Sequence, residues 1–371
     1  MKRAFESVYL AAPAWMNYRQ RPMKKIAVIG GDGIGPEVVR EGVKVLEALA
    51  EVRGHALAFT HYELNADRYL SEGVTFPEEV RDAIANEHDA VLLGALGDPR
   101  VPDMAHARDI LFGLRFGFDL YCNLRPIQCL HERLMPLKAT KAEDLDLVVF
   151  RENTEGIYVG MGGHFKKGTP DEVATQQDVN TRKGVERIIR AAFEYATAHG
   201  RKTVHMADKH NAMKHAHELW LRCFHEVAAE YPDIEAKHVF VDALCLFMVQ
   251  DPTQFDVIVT CNLFGDIVTD LGAALQGGMG MAASANVRPG GIGLFEPVHG
   301  SAPPLAGKNV ANPIATILTA GMMLTHLGLD GEETLVALAR RAVAEGACTK
   351  DVGGELSTTA TGDWFVNQLR R

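Results

Sequence analysis

Apolar positions along this chain recur with two alternating periods. Lys25 to Gly30 is a short β-rich run, and after the turn Gly30-Gly-Asp-Gly-Ile-Gly-Pro the apolar residues Val39, Val43, Leu46 and Ala50 fall on one helical stripe. The order repeats as strand over 56–62, helix over 78–86, strand over 89–95 and helix over 105–116. Such alternation predicts an α/β fold with a largely parallel sheet.

From Leu120 the rhythm changes to extended segments over 120–126 and 145–151, followed by 155–163 and a polar, turn-rich stretch through Asp178. Helix is predicted again over 181–199 and 213–230, with strands over 202–207, 236–241 and 255–260. Gly277-Gly278 and a loop over 285–293 suggest a return to the first unit, which helices over 313–327 and 332–345 complete. The expected organisation is an N-terminal extension over 1–23, a first domain over 24–120 and 277–371, and a second over 121–276. The extension lacks the continuous apolar core of a signal peptide and reads as a loosely ordered leader or an early start codon.

The 371 residues carry 48 acidic against 38 basic side chains, for a net charge of −10. No Lys/Arg block reaches the length that favours nucleic acid or a membrane surface, so neither is expected as a partner. No segment is long and apolar enough to span a bilayer. Six cysteines lie scattered without a Cys-x-x-Cys. They read as reduced thiols of a cytoplasmic protein, and neither disulfides nor a zinc site are expected.

The stretch around which the chemistry gathers runs from Asn262 to Gly280. Asp266 and Asp270 stand one helical turn apart after the apolar run ending at Thr260, so both carboxylates project from one helix face at the carboxyl end of a strand. Like charges at that spacing call for a cation, and oxygen donors suit Mg²⁺ or Mn²⁺. A solvated helix face is the plain alternative. Asp242, after Val239-Phe-Val, offers a third carboxylate.

Three arginines end apolar segments: Arg115, Arg125 in Asn123-Leu-Arg-Pro, and Arg151 after Leu147-Val-Val-Phe. A guanidinium so placed needs an anionic partner, and its planar fork suits a carboxylate. Any one of them could serve a salt bridge, but three together point to a small polyanionic substrate. Lys209, in Asp208-Lys-His-Asn, follows a strand and could act as a base, or be an exposed helix-start lysine. Tyr158 is a core aromatic or a proton donor. His210, His215 and His217 lack zinc-ligand spacing on one face and are read as structural or solvent-facing. The loop Phe295-Glu-Pro-Val-His-Gly-Ser-Ala-Pro is built of small residues that allow close backbone approach to a nucleotide. The glycines from Gly31 to Gly35 miss the dinucleotide fingerprint.

Taken together, Asn262 to Gly280 and the loop Glu296 to Pro303 with Asn312 resemble the β-decarboxylating dehydrogenase family, which includes isopropylmalate, isocitrate, homoisocitrate, tartrate and D-malate dehydrogenases. The resemblance covers nearly the whole chain from Lys24. It implies an open two-domain mixed sheet rather than a Rossmann fold. It further implies that Arg115, Arg125 and Arg151 hold the substrate carboxylates, and that Asp266 and Asp270, with Asp242 from a second subunit, bind Mg²⁺ or Mn²⁺. Lys209 from that partner would accept the C2 hydroxyl proton and Tyr158 would protonate the enolate, in a homodimer with shared sites. Ile34, Asn211, Glu296, His299, Gly300, Ser301, Ala302 and Asn312 would hold NAD. Pro304 stands where NAD-specific members carry a ribose-binding aspartate, so NADP is not excluded.

For the substrate, Leu111 and Phe112 replace the polar positions of isocitrate-type members with an apolar wall, which disfavours a third carboxylate and accepts an alkyl group. The expected reaction is oxidative decarboxylation of 3-isopropylmalate. The segments 151–156, 173–184 and 242–245 look more like the tartrate and D-malate branch, which stays open. So does a non-catalytic regulatory subunit of the same fold.

Overall fold

The computed structural model describes residues 23–371, so residues 1–22, which carry nearly all of the expected extension, lie outside it. The first part of the chain forms β1 (Lys24–Gly31), α1 (Gly35–Arg53), β2 (Leu57–His61), α2 (Ala66–Glu72), α3 (Glu78–Glu87), β3 (Ala90–Ala95) and α4 (Ala105–Gly117). Next come β4 (Cys122–Gln128), β5 (Asp146–Glu152), β6 (Gly162–Phe165), β7 (Val173–Gln176), α5 (Arg182–Ala198), β8 (Thr203–Asp208), α6 (Lys214–Ala228), β9 (Glu235–Phe240) and α7 (Val241–Gln250). The chain ends with β10 (Val257–Thr260), α8 (Asn262–Leu275), β11 (Ala283–Val287), β12 (Gly293–Pro297), α9 (Ile314–His326), α10 (Glu332–Glu345) and α11 (Thr358–Leu369).

One mixed sheet runs through the molecule in the order β2-β1-β3-β12-β11-β4-β5-β10-β8-β9. Its two flanks are parallel, and the strands between them, β12, β11, β4 and β5, pair antiparallel. This is not the strand order of a Rossmann unit.

Helices cover both faces, and strand alternation decides which residue meets which layer. In β5, Val148 and Phe150 pack with α5 residues such as Ile188 and Ala192, while Leu147 and Val149 pack with Leu244 of α7 and Val268 of α8. In β1, Ile26 and Val28 join the α1 and α9 layer, whereas Ala27 and Ile29 meet Ile84 of α3 and Ile110 and Leu114 of α4. A strand buried on both faces reads as a continuous apolar run, which is why these segments stand out in the sequence.

Three local expectations are corrected. Asp242 does not close a strand but lies in the first turn of α7, because β9 stops at Phe240. The loop over 285–293 shrinks to 288–292, since β11 continues through Val287 and pairs with both β4 and β12. The polar stretch before Asp178 contains the β6–β7 hairpin, whose residues are exposed throughout.

Candidate active site

The site is organised by the passage from β10 into α8. Helix begins at Asn262, and its small residues let it lie directly on β4 and β5. A Cβ on Gly265 would stand 2.5 Å from Arg151 Cγ, and one on Gly272 would stand 2.2 Å from Ile127 Cδ1. Glycine at 265 therefore lets the Arg151 side chain cross under the helix toward Asp266.

Arg125 and Arg151 come from antiparallel neighbours, with Asn123 opposite Arg151 and Arg125 opposite Val149. Both guanidinium groups are buried. Arg151 Nη1 donates to Asp266 Oδ1 at 2.6 Å, and its Nε and Nη2 donate to Asn262 Oδ1 at 3.1 and 2.8 Å. Arg125 donates to Asn123 Oδ1 at 2.7 Å and to Thr269 Oγ1 at 2.6 Å, and lies 3.7 Å from Asp266. Burial, then the charges of Arg151 and Arg115, push Arg125 down to about 9. Burial and Arg115 lower Arg151 in the same way. Three buried cations crowd one place, and an anion entering among them relieves that repulsion.

Arg115, in the last turn of α4, donates through Nη2 to Glu296 Oε1 at 2.6 Å. Its Nε is buried with no hydrogen-bond partner. A buried guanidinium N–H left unpaired costs the full desolvation of that group, which a substrate carboxylate would offset. Asn286 completes the setting, donating to Glu296 Oε1 at 3.0 Å and accepting from Asn123 and Asn153 at 2.9 Å each.

The two aspartates of α8 differ in environment. Burial works to raise the Asp266 carboxyl, but Arg151 and Arg125 outweigh it and hold it below the usual carboxylate range. Asp270 is raised, by partial burial and then by the charge of Asp266. That repulsion is what a cation between them would remove, so the donor set fits a hard divalent ion. Asp242 is elsewhere, exposed on α7 and paired with Lys209 Nζ. Within one chain Asp242, Asp266 and Asp270 do not form a trio whose oxygens all lie within 4.8 Å of one another.

Tyr158 Oη donates to Asp266 Oδ2 at 3.1 Å, under the Arg151 guanidinium at 5.5 Å from the ring centre. Burial and then Asp266 raise its pKa, so it stays protonated. Phe112 meets the Tyr158 ring edge-on at 6.2 Å and stacks on Phe116 at 4.9 Å. Leu111 instead packs toward the core cluster containing Ile110 and Leu114. Of the apolar wall, Phe112 is thus the member in contact with Tyr158.

On the opposite side, the glycine turn after β1 meets the loop after β12. Ile34 N donates to the Ser301 carbonyl at 2.8 Å, and a Cβ on Gly33 (φ +58) would fall 2.0 Å from that oxygen. Ile34 packs with Val38, Ala311 and Ala302. Asn312 lies just before α9, accepting from Ile314 N at 3.0 Å and donating to Asp351 at 3.0 Å. His299 is half-buried with Nε2 unpartnered, and Gly300 is exposed. Pro304 lies in a short 3-10 turn, Pro303–Leu305. Asn211, exposed after β8, is not among these residues.

Sequence reasoning missed the polar residues that aim the charged ones: Asn262, Thr269, Asn123, Asn286 and Asn153. It also missed Glu37, which accepts from the backbone N–H groups of Gly307 and Asn309 and so ties α1 to the loop after β12. Asn262 and Glu37 meet partners more than 100 positions away, and a lone Asn or Glu has no local signature. His210, read as structural or solvent-facing, hydrogen-bonds Asp208, whose carboxylate also bonds His238 in β9.

The family profile described as isocitrate/isopropylmalate dehydrogenase matches residues 25–366. A 3-isopropylmalate dehydrogenase of Thermobifida fusca is 50% identical over 93% of this chain and 97% of its own. One from Beutenbergia cavernae is 47% identical over 91% of this chain and 98% of its own. Among solved structures, isocitrate dehydrogenase from Methylococcus capsulatus superposes with a TM-score of 0.83 at 37% identity, covering 94% of this chain and 100% of that one. A β-decarboxylating dehydrogenase from Thermococcus kodakarensis does so with a TM-score of 0.76 at 36% identity, covering 94% and 96%. With a profile spanning nearly all described residues, relatives of this identity and the same fold, the chain belongs to the isocitrate/isopropylmalate dehydrogenase family.

Proposed function

We propose that this protein oxidises and decarboxylates 3-isopropylmalate to 2-oxoisocaproate, with NAD as acceptor and Mg²⁺ or Mn²⁺ as the metal. The observation that carries the reading is the buried trio Arg115, Arg125 and Arg151 around Asp266 and Tyr158, with Arg115 Nε unpaired. Such a cluster fits a compact dicarboxylate, and Phe112 beside Tyr158 offers apolar contact to an alkyl group. The relatives at 50% and 47% identity bear the isopropylmalate name, which outweighs the isocitrate name on a structure at 37%.

In this reading the arginines fix both carboxylates and orient C2. Lys209 takes the C2 hydroxyl proton, and Tyr158, kept protonated, delivers a proton to C3 as the carboxylate there departs as CO₂. When bound, NAD would accept the hydride, and a divalent ion held by Asp266, Asp270 and a partner's aspartate would supply Lewis acidity to the substrate. Ile34, Glu296, His299, Gly300, Ser301, Ala302 and Asn312 line the cofactor side. Since Pro304 offers no acid to repel a 2′-phosphate, NADP belongs in the test.

Lys209 and Asp242 pair with each other rather than with Asp266, which supports a homodimer in which each subunit lends this pair to the other. Leu246, Phe247 and Val249 of α7 and Ile267 of α8 are exposed apolar side chains on two helices packed together, a face suited to a second copy. The domain division at 24–120 with 277–371 and 121–276 belongs to the same proposal and falls where β11 and β4 pair. Among the described residues no helix is long and apolar enough to cross a membrane. All six cysteines are free thiols, which supports a reducing, cytoplasmic setting.

The test is NADH formation by the purified protein with Mg²⁺ or Mn²⁺, comparing 3-isopropylmalate, D-malate, L-tartrate and isocitrate, and repeated with NADP⁺. A kcat/KM for isopropylmalate about 100-fold or more above D-malate, within reach of alkyl burial, is expected. A preference for D-malate or tartrate would move the protein to the smaller-diacid branch. No turnover with any of them would favour a regulatory subunit.

A further inference from the structure

Asp208, His210 and His238 form a second constellation, apart from the aspartates of α8. Among the described residues it is the one group of three His, Cys, Asp or Glu donors whose ligand atoms all lie within 4.8 Å of one another. Asp208 ends β8 with its carboxylate fully buried, and His238 sits on the adjoining edge strand β9, where Asp208 pairs with Phe240. His210 lies in the turn that follows β8. Its Nδ1 is 3.1 and 3.0 Å from the two Asp208 oxygens, and His238 Nε2 is 2.8 Å from Asp208 Oδ1. The remaining contact to the carboxylate is the His210 backbone N–H at 3.3 Å.

We infer that Asp208, His210 and His238 form a binding site for a first-row transition-metal ion of the Zn²⁺ or Co²⁺ type. Bonds of about 2.0–2.1 Å to nitrogen and oxygen place neighbouring donors roughly 3 to 3.5 Å apart, close to the spacing already present between the carboxylate and each imidazole. A buried carboxylate flanked by two imidazoles is a two-nitrogen, one-oxygen set, which favours these ions over Mg²⁺. Side-chain exposures of 28% for His210 and 22% for His238 leave an entry path and room for water at the remaining coordination positions.

The site borders the chemistry. Lys209 stands between two of the ligands, its backbone N–H donates to His217 Nδ1 at 2.9 Å, and its Nζ pairs with Asp242, just beyond β9. Phe240 lies 5.0 Å from the His210 ring and 5.1 Å from the His238 ring, with Lys209 Nζ 5.3 Å from its centre. An ion joining β8, the turn and β9 fixes the strand ends that carry Lys209 and Asp242, so its binding restrains Lys209.

The experiment titrates the full-length protein with Co²⁺ under a large excess of Mg²⁺ and follows the visible absorption of bound Co²⁺, with Zn²⁺ as competitor. One Co²⁺ per chain, displaced by Zn²⁺ and free of thiolate charge-transfer bands, is expected. His210→Ala and His238→Gln should each weaken binding by at least about 10-fold, the lower bound seen even for changes outside the ligand shell. His210→Cys should restore binding and add a thiolate band, which separates a lost ligand from a misfolded variant. Absence of Mg²⁺-resistant Co²⁺ binding, or equal binding in wild type and both variants, would leave an ordinary hydrogen-bonded triad and overturn the inference. This arm needs no substrate and is independent of the proposed reaction. A second arm rests on that reaction: Zn²⁺ should slow NADH formation by wild type and not by His210→Ala. Zn²⁺ bound without any effect on turnover would overturn the restraint on Lys209.

Discussion

Arg115 Nη2 and Glu296 Oε1, from α4 and β12 and 181 positions apart, meet at 2.6 Å in a buried ion pair. The pair joins a residue assigned to the substrate with one assigned to the cofactor side, so the Glu296 carboxylate occupies a donor that a substrate carboxylate would use. Glu296→Gln keeps one hydrogen-bond acceptor but removes the competing charge. The variant should lose about 1–3 kcal/mol of stability, and 3-isopropylmalate should raise its Tm by more than it raises that of wild type. Equal ligand-induced shifts in a thermal melt would show that Glu296 does not compete for Arg115.

Gly265 and Gly272 face two different neighbours from one helix. A methyl group at 265 meets Arg151, whereas one at 272 meets Ile127 in the core. Both substitutions to alanine overpack and should cost about 1–3 kcal/mol. Only Gly265→Ala should displace a guanidinium proposed to bind substrate, with kcat/KM falling roughly 100-fold, the penalty of about 1 Å of misplacement. Gly272→Ala should keep KM near that of wild type. Parallel kinetics and urea melts of the two variants decide it.

Asp266 and Asp270 shift in opposite directions, and the signs differ in consequence. Asp266, held low, contributes stability that is present above the unfolded carboxylate pKa and lost as pH falls through its folded value. Asp270, held high, costs stability once pH exceeds the unfolded carboxylate range, and that cost is complete above its folded value. Asp270→Asn should therefore raise stability, and with it Tm, at neutral pH in chelator, by no more than about 1 kcal/mol of unfolding free energy after solvent screening, with the gain vanishing in acid. It should also abolish stabilisation by Mg²⁺. Asp266→Asn should lower Tm at neutral pH under the same conditions. A neutral-pH Tm for Asp270→Asn below that of wild type would contradict the repulsion between the two.

What could be read from the sequence follows from local chemistry. Strands buried on both faces, such as Leu147-Val-Val-Phe, appear as apolar runs, and α1, α5 and α10 appear as periodic stripes. The helix α7 does not, because Leu246, Phe247 and Val249 are apolar yet exposed, which erases the amphipathic pattern. At the site, a charge at a strand end is conspicuous, so Arg151 and Asp266 stand out. The asparagines that aim them, and the pairing of Arg115 with Glu296, depend on contacts more than 100 positions apart and leave no local trace.

Lys209 pairs with Asp242 on the β8–β9 edge, while Tyr158 pairs with Asp266 under α8. If each active site takes Lys209 and Asp242 from one subunit and Tyr158, Asp266 and Asp270 from the other, two inactive variants can rescue one another. Lys209→Met removes the base, and Tyr158→Phe removes the proton donor, so each homodimer is deficient at both of its sites. After mixing, denaturing and refolding, half of the dimers would be hybrids. Each hybrid would hold one site with both defects and one with neither, so the mixture should regain about a quarter of wild-type turnover under random pairing. Were all five residues to act within one chain, every site in the mixture would keep one defect. Turnover no higher than that of the two variants measured apart, with hybrid dimers shown by native mass spectrometry, would rule out the shared site.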